Sequence, residues 1–554
     1  FNNIEKIVFY EKPFLKFERI IETYIKNIPY GFKSFKKSLP IWIKEKLFLK
    51  SLIINELKSI NIHCDKNDIA FSEHHLSHAS SAFFPSPFEK AIILTIDGVG
   101  ENVTTSIAIG NGNKIDIKKE IFFPHSLGLL YSAFTYYLGF KVNSGEYKLM
   151  GLAPYGKPIF KEKIINNIIK IYHDGSFKLN QSYFNYQTGL TMTNSKFDEL
   201  FNFSFRKSEN EELQDNHFNI AASIQAVIEE IILKICKNIF NEYKIENLCL
   251  AGGVALNCVA NGKLLKQNLY KNIWVQPAAG DAGGCIGAAL NFWYLEKNNK
   301  RKTNYQDKMQ GSYLGPEYSS KSIKNSLEEN GAIFKEKTTK DIISITANKL
   351  SEGKVCAWFQ GKMEFGPRAL GNRSILADPR SHNTQKDLNM KVKYRESFRP
   401  FAPAILEEDL NNWFDLNDYS PYMLFVGQVK EEKLINLSFD EKKLVGLDKL
   451  KSLRSQIPAV THVDNSARIQ TVSKKTNEIF YSLLTEFKKQ TNCPILVNTS
   501  FNVRNEPIVC SPEDAFRCFM SSEIDILVID NFLLKKEDQI ENLISNRSLL
   551  FESD

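Results

Sequence analysis

The stretch whose reading decides the fold is Ser72-Glu-His74-His-Leu-Ser-His78-Ala, followed after a short gap by Ala91-Ile-Ile-Leu-Thr-Ile-Asp97-Gly98-Val-Gly100. His74 and His78 stand four apart, so on a helix both imidazoles project from one face. That spacing presents two nitrogen ligands to one metal ion. Ser72 reads as the N-cap of this helix. A short apolar strand then delivers Asp97 at its end, beside a Gly-x-Gly turn, a way of presenting an acidic ligand together with open backbone N–H groups. The alternative is a pair of surface histidines next to an ordinary turn. Three of the chain's nine histidines fall within five residues, which favours the metal site.

Two later stretches repeat the strand, glycine turn and helix. One is Asn247-Leu-Cys-Leu-Ala-Gly252-Gly253-Val-Ala-Leu-Asn257, the other Ile273-Trp-Val-Gln-Pro-Ala-Ala-Gly280-Asp281-Ala-Gly-Gly284. Neither contains the Gly-Lys-Ser/Thr element of a Walker A loop. Each alone is weak evidence. Three such units, two of them carrying an aspartate, point to a nucleotide-and-metal cleft.

Around these units, Thr104–Gly110 and Lys114–Phe123 flank Asn111-Gly112, a hairpin signal. Ser126–Leu138 reads as a buried helix, and Gly145-Glu-Tyr-Lys148-Leu-Met-Gly-Leu-Ala-Pro-Tyr-Gly156 as a binding loop. The stretch 160–215 reads as a peripheral insertion, and His217–Tyr243 as a long amphipathic helix. The basic run Lys36–Lys50 reads as a solvated helix face. At 554 residues the chain exceeds one core, and the polar stretch 296–310 is the expected linker.

Beyond it the pattern changes. Lys362, Arg368, Arg373, Lys393, Arg395 and Arg399 alternate with glycine, proline and phenylalanine, so a smooth solvated helix does not explain them. Arginine forks bind phosphate and carboxylate bidentately, which fits an anionic substrate. A salt-bridge network with Glu364 and Glu396 is the competing reading. Thr461-His462-Val-Asp464 is a polar run in a strand-like context. Ser500 and Asn502, two apart on an extended chain, face one side and could hold one ligand; an ordinary polar turn is the alternative.

The net charge of +7 is modest for this length, and no basic block marks a nucleic-acid face. The nine cysteines form no Cys-x-x-Cys pair, which argues for a reducing compartment and a cytoplasmic protein. No apolar run reaches the length of a membrane span.

Taken together, the motifs around His74, Asp97, Gly145–Gly156, Ala251–Asn257, Gly280–Gly284, Gly366–Ser374, Lys393–Arg395, Arg399–Pro403 and Asn498–Asn502 closely resemble the O-carbamoyltransferases of the nodulation, cephalosporin and tobramycin type. The resemblance implies an actin-like α/β transfer domain (1–300), similar to the threonylcarbamoyl-transferring enzymes, and a YrdC-like α/β domain (311–554). It implies that His74, His78, Asp97 and Asp281 ligate a divalent metal, Fe2+ foremost. Gly252, Gly253 and Asn257 are expected to hold the nucleotide, with Gly98 and Lys148 beside them. Lys393 and Arg395 with Ser500 and Asn502 match the Lys-x-Arg and Ser-x-Asn elements, with Arg368, Arg373 and Arg399 as companions. ATP and carbamoyl phosphate are the implied substrates, and carbamoyl adenylate the intermediate. The acceptor is a hydroxyl on a sugar or small natural product, and its identity stays open. No nucleic acid or membrane partner is expected, and self-association as a homodimer is. Family members carry an early Gly-…-His-Asp element that does not precede Ile4 here, so the first strands of the actin-like sheet are expected to be missing from this stretch. Alternatives are a tRNA threonylcarbamoyl-type transferase and a nucleotide-binding protein without turnover.

Overall fold

The computed structural model describes residues 4–416, 418–504 and 506–540. The chain divides into two units: residues 1–153, 157–260 and 267–308 form the first, and 154–156, 261–266 and 309–554 the second. The reading of one break near the linker left out the two short pieces, 154–156 and 261–266, that cluster with the second unit.

In the first unit β1 (Ile7–Phe9) pairs in parallel with β2 (Ile69–Phe71), with helices α1 (Pro13–Lys26), α2 (Phe32–Trp42) and α3 (Leu49–Ser59) between them. Helix α4 (His74–Phe83) follows β2 directly. The main sheet contains β3 (Lys90–Ile96), β4 (Val103–Asn111), β5 (Lys114–Phe122), and, after a small hairpin β6 (Ile169–Ile171) and β7 (Phe177–Leu179), β8 (Asn247–Ala251) and β9 (Asn272–Val275). Its order is β5-β4-β3-β8-β9. The first three strands are antiparallel, and β3, β8 and β9 run parallel. Central β3 is buried from Ala91 to Ile96, as its unbroken apolar run demands, whereas edge strand β5 is mostly exposed and carries three lysines. The hairpin turns at Gly112, whose φ of +60° suits glycine, with Asn111 opposite Lys114.

The further helices of this unit are α5 (Leu127–Tyr137), α6 (Glu146–Leu152), α7 (Lys161–Asn167), α8 (Ser195–Phe201), α9 (Asp215–Tyr243) and α11 (Asp281–Asn291), while α10 (Cys258–Lys266) begins in this unit and its residues 261–266 cluster with the second. Sixteen of the 29 residues of α9 are buried, so it is a core helix. Helices α4 and α11 approach backbone to backbone. A Cβ on Gly287 would lie 2.6 Å from the Ser77 carbonyl carbon and 2.9 Å from the Ser81 nitrogen. Only glycine allows that approach.

The second unit is built on a ten-stranded mixed sheet of order β10-β19-β18-β11-β12-β17-β13-β16-β15-β14. Its strands are β10 (Lys335–Glu336), β11 (Cys356–Phe359), β12 (Arg373–Ala377), β13 (Ala402–Leu406), β14 (Phe414–Asp415), β15 (Phe425–Val429), β16 (Ser466–Val472), β17 (Ile495–Ser500), β18 (Ile526–Ile529) and β19 (Phe532–Lys535). The inner strands β11, β12, β13 and β18 are buried throughout, and the two edges are two-residue strands that offer little to a stray partner. Helices Thr339–Ser351 and Glu478–Thr491 pack on each other. Among the described residues no helix is long and apolar enough to cross a membrane.

Candidate metal centre and cationic cluster

Helix α4 begins at His74, with Glu73 and not Ser72 at the N-cap. Ser72 Oγ instead accepts from Ser77 Oγ (2.8 Å) and from Asn291 Nδ2 (2.5 Å) of α11, tying the two helices together. The first-turn amide of His74 is satisfied from a distance: the buried Glu101 carboxylate accepts it at 3.0 and 3.2 Å. Glu101 also accepts the Lys12 amide at 2.7 Å, which fastens the N-terminal segment to the same helix start.

One turn of α4 brings the two imidazoles edge to edge, with Nε2 atoms 3.1 Å apart. Asp97, just past the end of β3, places Oδ2 3.0 Å from His74 Nε2 and 3.7 Å from His78 Nε2. Asp281, the first residue of α11, places Oδ1 3.6 Å from both nitrogens. One ligand atom from each of the four residues lies within 4.8 Å of all the others. Donors about 2.1 Å from a shared divalent ion stand about 3.0 Å apart along an octahedral edge and about 3.4 Å apart in a tetrahedron. The two shortest separations, 3.0 and 3.1 Å, match an octahedral edge, and the 3.6–3.7 Å ones lie a little beyond a tetrahedral edge. Two imidazoles and two carboxylates, with no thiolate, suit a first-row divalent ion.

The electrostatics point the same way. Burial works against an imidazolium at His78, but the Asp281 and Asp97 carboxylates outweigh it and raise its pKa to about 9. Burial likewise opposes ionisation of Asp97, and hydrogen bonds with His74 and His78 overcome it, holding the carboxyl well below its usual range. The neighbouring His78 ring also lowers Asp281. The cluster is therefore a pair of carboxylates that demands positive charge between them. His75, the third histidine of the run, turns away to Ser106 Oγ (3.1 Å), and burial depresses it to about 3, so it is a neutral core residue.

Two glycine positions complete this corner. Asp97 Oδ1 accepts the Gly253 N–H at 2.9 Å, so the carboxylate is oriented by the β8 turn while its other oxygen faces the histidines. Gly252, at φ +87°, lies where a Cβ would collide with the Ile96 backbone. At Gly98 a Cβ would meet nothing within 4 Å, so the Asp97-Gly98 turn faces open space.

The other expected nucleotide contacts are engaged elsewhere. Lys148 is buried in a bidentate pair with Glu209 (2.8 and 2.9 Å). Asn257 forms a reciprocal amide pair with Gln225 (both 3.1 Å), and its Oδ1 accepts the Ala260 N–H at 3.1 Å, capping α10.

A residue missed by sequence reasoning is Tyr10. Its ring lies 5.6 Å from that of His74; burial, followed by the charges of the nearby Asp281, Glu11 and Asp97, raises its pKa. A Cβ on Gly284 would come within 2.8 Å of this ring, so that glycine makes room for it. The signal in the sequence was only a tyrosine closing a short strand.

In the second unit the structure joins Lys393, Ser500 and Asn502. Lys393 Nζ donates to the Ser500 carbonyl (2.6 Å) and Oγ (3.1 Å) and to the Asn502 carbonyl (2.9 Å) and Oδ1 (2.6 Å). Burial, reinforced by the Arg395 charge, drives the Lys393 pKa well below the usual lysine value. Arg395 donates to Asn389 Oδ1 (2.7 Å) and lies over the Phe401 ring. Arg399 pairs with Glu396 at 3.5 Å, part of the salt-bridge alternative, and Arg368 is half-buried on the loop between β11 and β12.

Arg373 is a different case. It is fully buried, donates to the carbonyls of Gln360 (2.7 Å), Asn372 (2.9 Å), Gly361 (3.1 Å) and Pro316 (3.2 Å), and stacks 3.5 Å from the Phe359 ring centre. Those contacts make it an internal strut of the β11–β12 loop. Among the described residues Glu364 makes no side-chain ion pair with it, which counts against the salt-bridge alternative at this position. One Glu364 oxygen accepts the N–H groups of Leu370, Asn372 and Arg373 and shapes the same loop.

Comparison with known proteins accords with this two-part construction. Residues 1–290 match the family model described as carbamoyltransferase N-terminus, and residues 347–536 that described as carbamoyltransferase C-terminus. An uncharacterized protein of Synechocystis sp. is 53% identical over 97% of this chain and 88% of its own length. The nodulation protein NolNO of Sinorhizobium fredii is 38% identical over 90% of this chain and 68% of its own. The nodulation protein NolO of Bradyrhizobium diazoefficiens is 37% identical over 84% and 78% respectively. With both halves matched and these identities sustained along its length, the chain belongs to the carbamoyltransferase family.

Proposed function

We propose that the protein is an ATP-dependent O-carbamoyltransferase: carbamoyl phosphate and ATP give carbamoyl adenylate, and the carbamoyl group then passes to an acceptor hydroxyl. The observation that carries this reading is that one chain builds two chemically different clusters on two separate sheets, a two-histidine two-aspartate set and a lysine-serine-asparagine set among arginines. The first unit's sheet order, three antiparallel strands continued by two parallel ones, supports an actin-like domain. The Lys393–Ser500–Asn502 convergence supports a YrdC-like second domain.

In the second unit water cleaves carbamoyl phosphate to carbamate and inorganic phosphate, and the carbamate oxygen then attacks the α-phosphorus of ATP, displacing pyrophosphate. Lys393, positioned by Ser500 and Asn502, and Arg395, Arg368 and Arg399 offset the charge that builds on the phosphates. Arg373 acts indirectly, by fixing the loop that carries Arg368. In the first unit His74, His78, Asp97 and Asp281 would hold the divalent ion, Fe2+ being the choice taken here. When bound, such an ion would polarise the carbamoyl carbonyl and offset the negative charge that builds on its oxygen. Gly253 orients Asp97, Tyr10 lies near Asp281, and Gly98 leaves the approach open to a substrate. The acceptor is a sugar or small natural-product hydroxyl, with no nucleic acid or membrane as partner, in the cytoplasm, and the protein works as a homodimer.

The test is pyrophosphate release from ATP, with and without carbamoyl phosphate, on metal-loaded protein. Release that depends on carbamoyl phosphate and survives His78→Ala, together with loss of transfer in that variant, supports the division of labour. Loss of both steps in His78→Ala contradicts it.

A further inference from the structure

The polar run Thr461-His462-Val463-Asp464 has no part in the reaction proposed above, yet it borders a cavity within the second unit. The cavity is small and partly open to solvent, and His462, Ser452, Arg454, His382, Leu450 and Pro458 are among its lining residues. His462 is 7% exposed and Ser452 5%. Neither His462 Nε2 nor Ser452 Oγ has a hydrogen-bond partner among the described residues. Buried polar atoms left unpaired are costly, so the coincidence of two on one cavity wall calls for a ligand.

The chemistry of the wall selects that ligand. Among the described residues lining the cavity none is acidic, while two imidazoles and a guanidinium are present. Arg454 is fixed by donating to the Val463 carbonyl (3.1 Å) and to the Lys449 carbonyl, so its charge is held in place. His462 is oriented from behind: its Nδ1 lies 3.6 Å from Asp464 Oδ1, and its ring packs edge-on against Tyr155. Asp464 is itself held by the Ser466 amide and hydroxyl. With Nδ1 facing a carboxylate, Nε2 is the ring nitrogen left for a ligand. Two unpaired polar atoms beside a fixed cation are the elements of an oxyanion site.

We infer that this cavity is a second anion site, which binds a phosphate group through His462 Nε2 and Ser452 Oγ beside the Arg454 charge. None of its lining residues belongs to the Lys393–Ser500–Asn502 cluster. Its nearest tie to the cationic loop is Gln385, whose amide donates to the Arg399 carbonyl at 3.4 Å.

Calorimetric titration of the full chain with inorganic phosphate tests the inference. Phosphate binding is expected in both the wild type and Lys393→Met, and the binding that Lys393→Met retains should weaken about tenfold or more when Ser452→Ala or His462→Gln is added. Ser452→Ala removes only one oxygen, so it stands in should His462→Gln fail to fold. Repeating the titration with ATP in Lys393→Met separates the sources: tighter binding than inorganic phosphate assigns the site to a nucleotide phosphate, and equal or weaker binding to free phosphate. Phosphate binding that disappears in Lys393→Met, or that Ser452→Ala and a folded His462→Gln both leave unchanged, overturns the inference. Lys393→Met reports on the adenylating cluster and the other two variants on this cavity, so the two readings fail separately.

Discussion

Gly287→Ala probes the joint on which the metal centre depends, without touching any of its four donors. In a helix interior the exchange alone favours alanine by about 0.8–1.0 kcal/mol. Against that, the new methyl carbon would lie 2.6 Å from the Ser77 carbonyl carbon and 2.9 Å from the Ser81 nitrogen. Ordinary contact for such atoms is about 3.5–4.0 Å and the Ser77 carbonyl oxygen would be closer still, so α4 and α11 must separate by more than about 1 Å. Overpacking of this kind costs about 1–3 kcal/mol. The atoms to be displaced are helix backbone, which cannot swing aside, so the upper part of that range applies and the net effect is a loss of about 1–2 kcal/mol. The consequence for binding is larger in proportion. Asp281 rides at the start of α11 and His74 and His78 on α4, and metal donors tolerate displacements of only about 0.2 Å. We expect metal affinity to fall at least tenfold, with adenylate formation in the second unit unchanged. Denaturant melts give the stability, and titration with Fe2+ or Co2+ under anaerobic conditions, followed by absorbance, gives the affinity. A Gly287→Ala protein with wild-type affinity and stability would refute the claim that close helix approach sets the donor geometry.

Two further outcomes follow from the same structure. Arg373→Lys keeps the charge but loses the fork that serves four carbonyls and the stack on Phe359. It should cost about 3 kcal/mol or more in urea denaturation, and an equally stable protein with a selective loss of ATP affinity would return Arg373 to the substrate site. His78, raised to about 9, carries a proton at pH 7 in the metal-free chain. Because the folded value lies above that of an unfolded histidine, its contribution to stability is complete below about pH 6.5 and is lost as pH rises through about 9. Metal loading at pH 7 should therefore release close to one proton, measured by calorimetry in buffers of different ionisation enthalpy; no release would count against a His78 imidazolium.

The α/β class and the grouping of His74, His78, Asp97 and Asp281 were legible because each rests on a local pattern. His74 and His78 are one helical turn apart, and Asp97 and Asp281 both mark a strand giving way to a glycine-rich turn. Tyr10 and Glu101 were illegible for the opposite reason. Glu101 caps an amide 27 residues away and another 89 residues away, contacts that exist only once β1 has paired with β2. Even the cap of α4 was misread, since Ser72 is drawn off by Asn291 from a helix more than two hundred residues on.

The cations of the second half show the sharper limit of sequence reading. Arg368, Arg373, Arg395 and Arg399 look alike as residue types, and spacing cannot say which of them the protein uses on itself. The deciding partners are backbone carbonyls, which every residue carries and no pattern encodes. Arg373 meets four of them and becomes part of the frame. Lys393 meets two carbonyls and also the side chains of Ser500 and Asn502, groups that can exchange a lysine for a phosphate oxygen. The same distinction brings His462 into view: a residue without a motif assignment becomes a site candidate because its buried Nε2 has nothing to bond. Residue type therefore locates a charge in such a protein, and hydrogen-bond occupancy decides whether that charge serves the fold or a ligand.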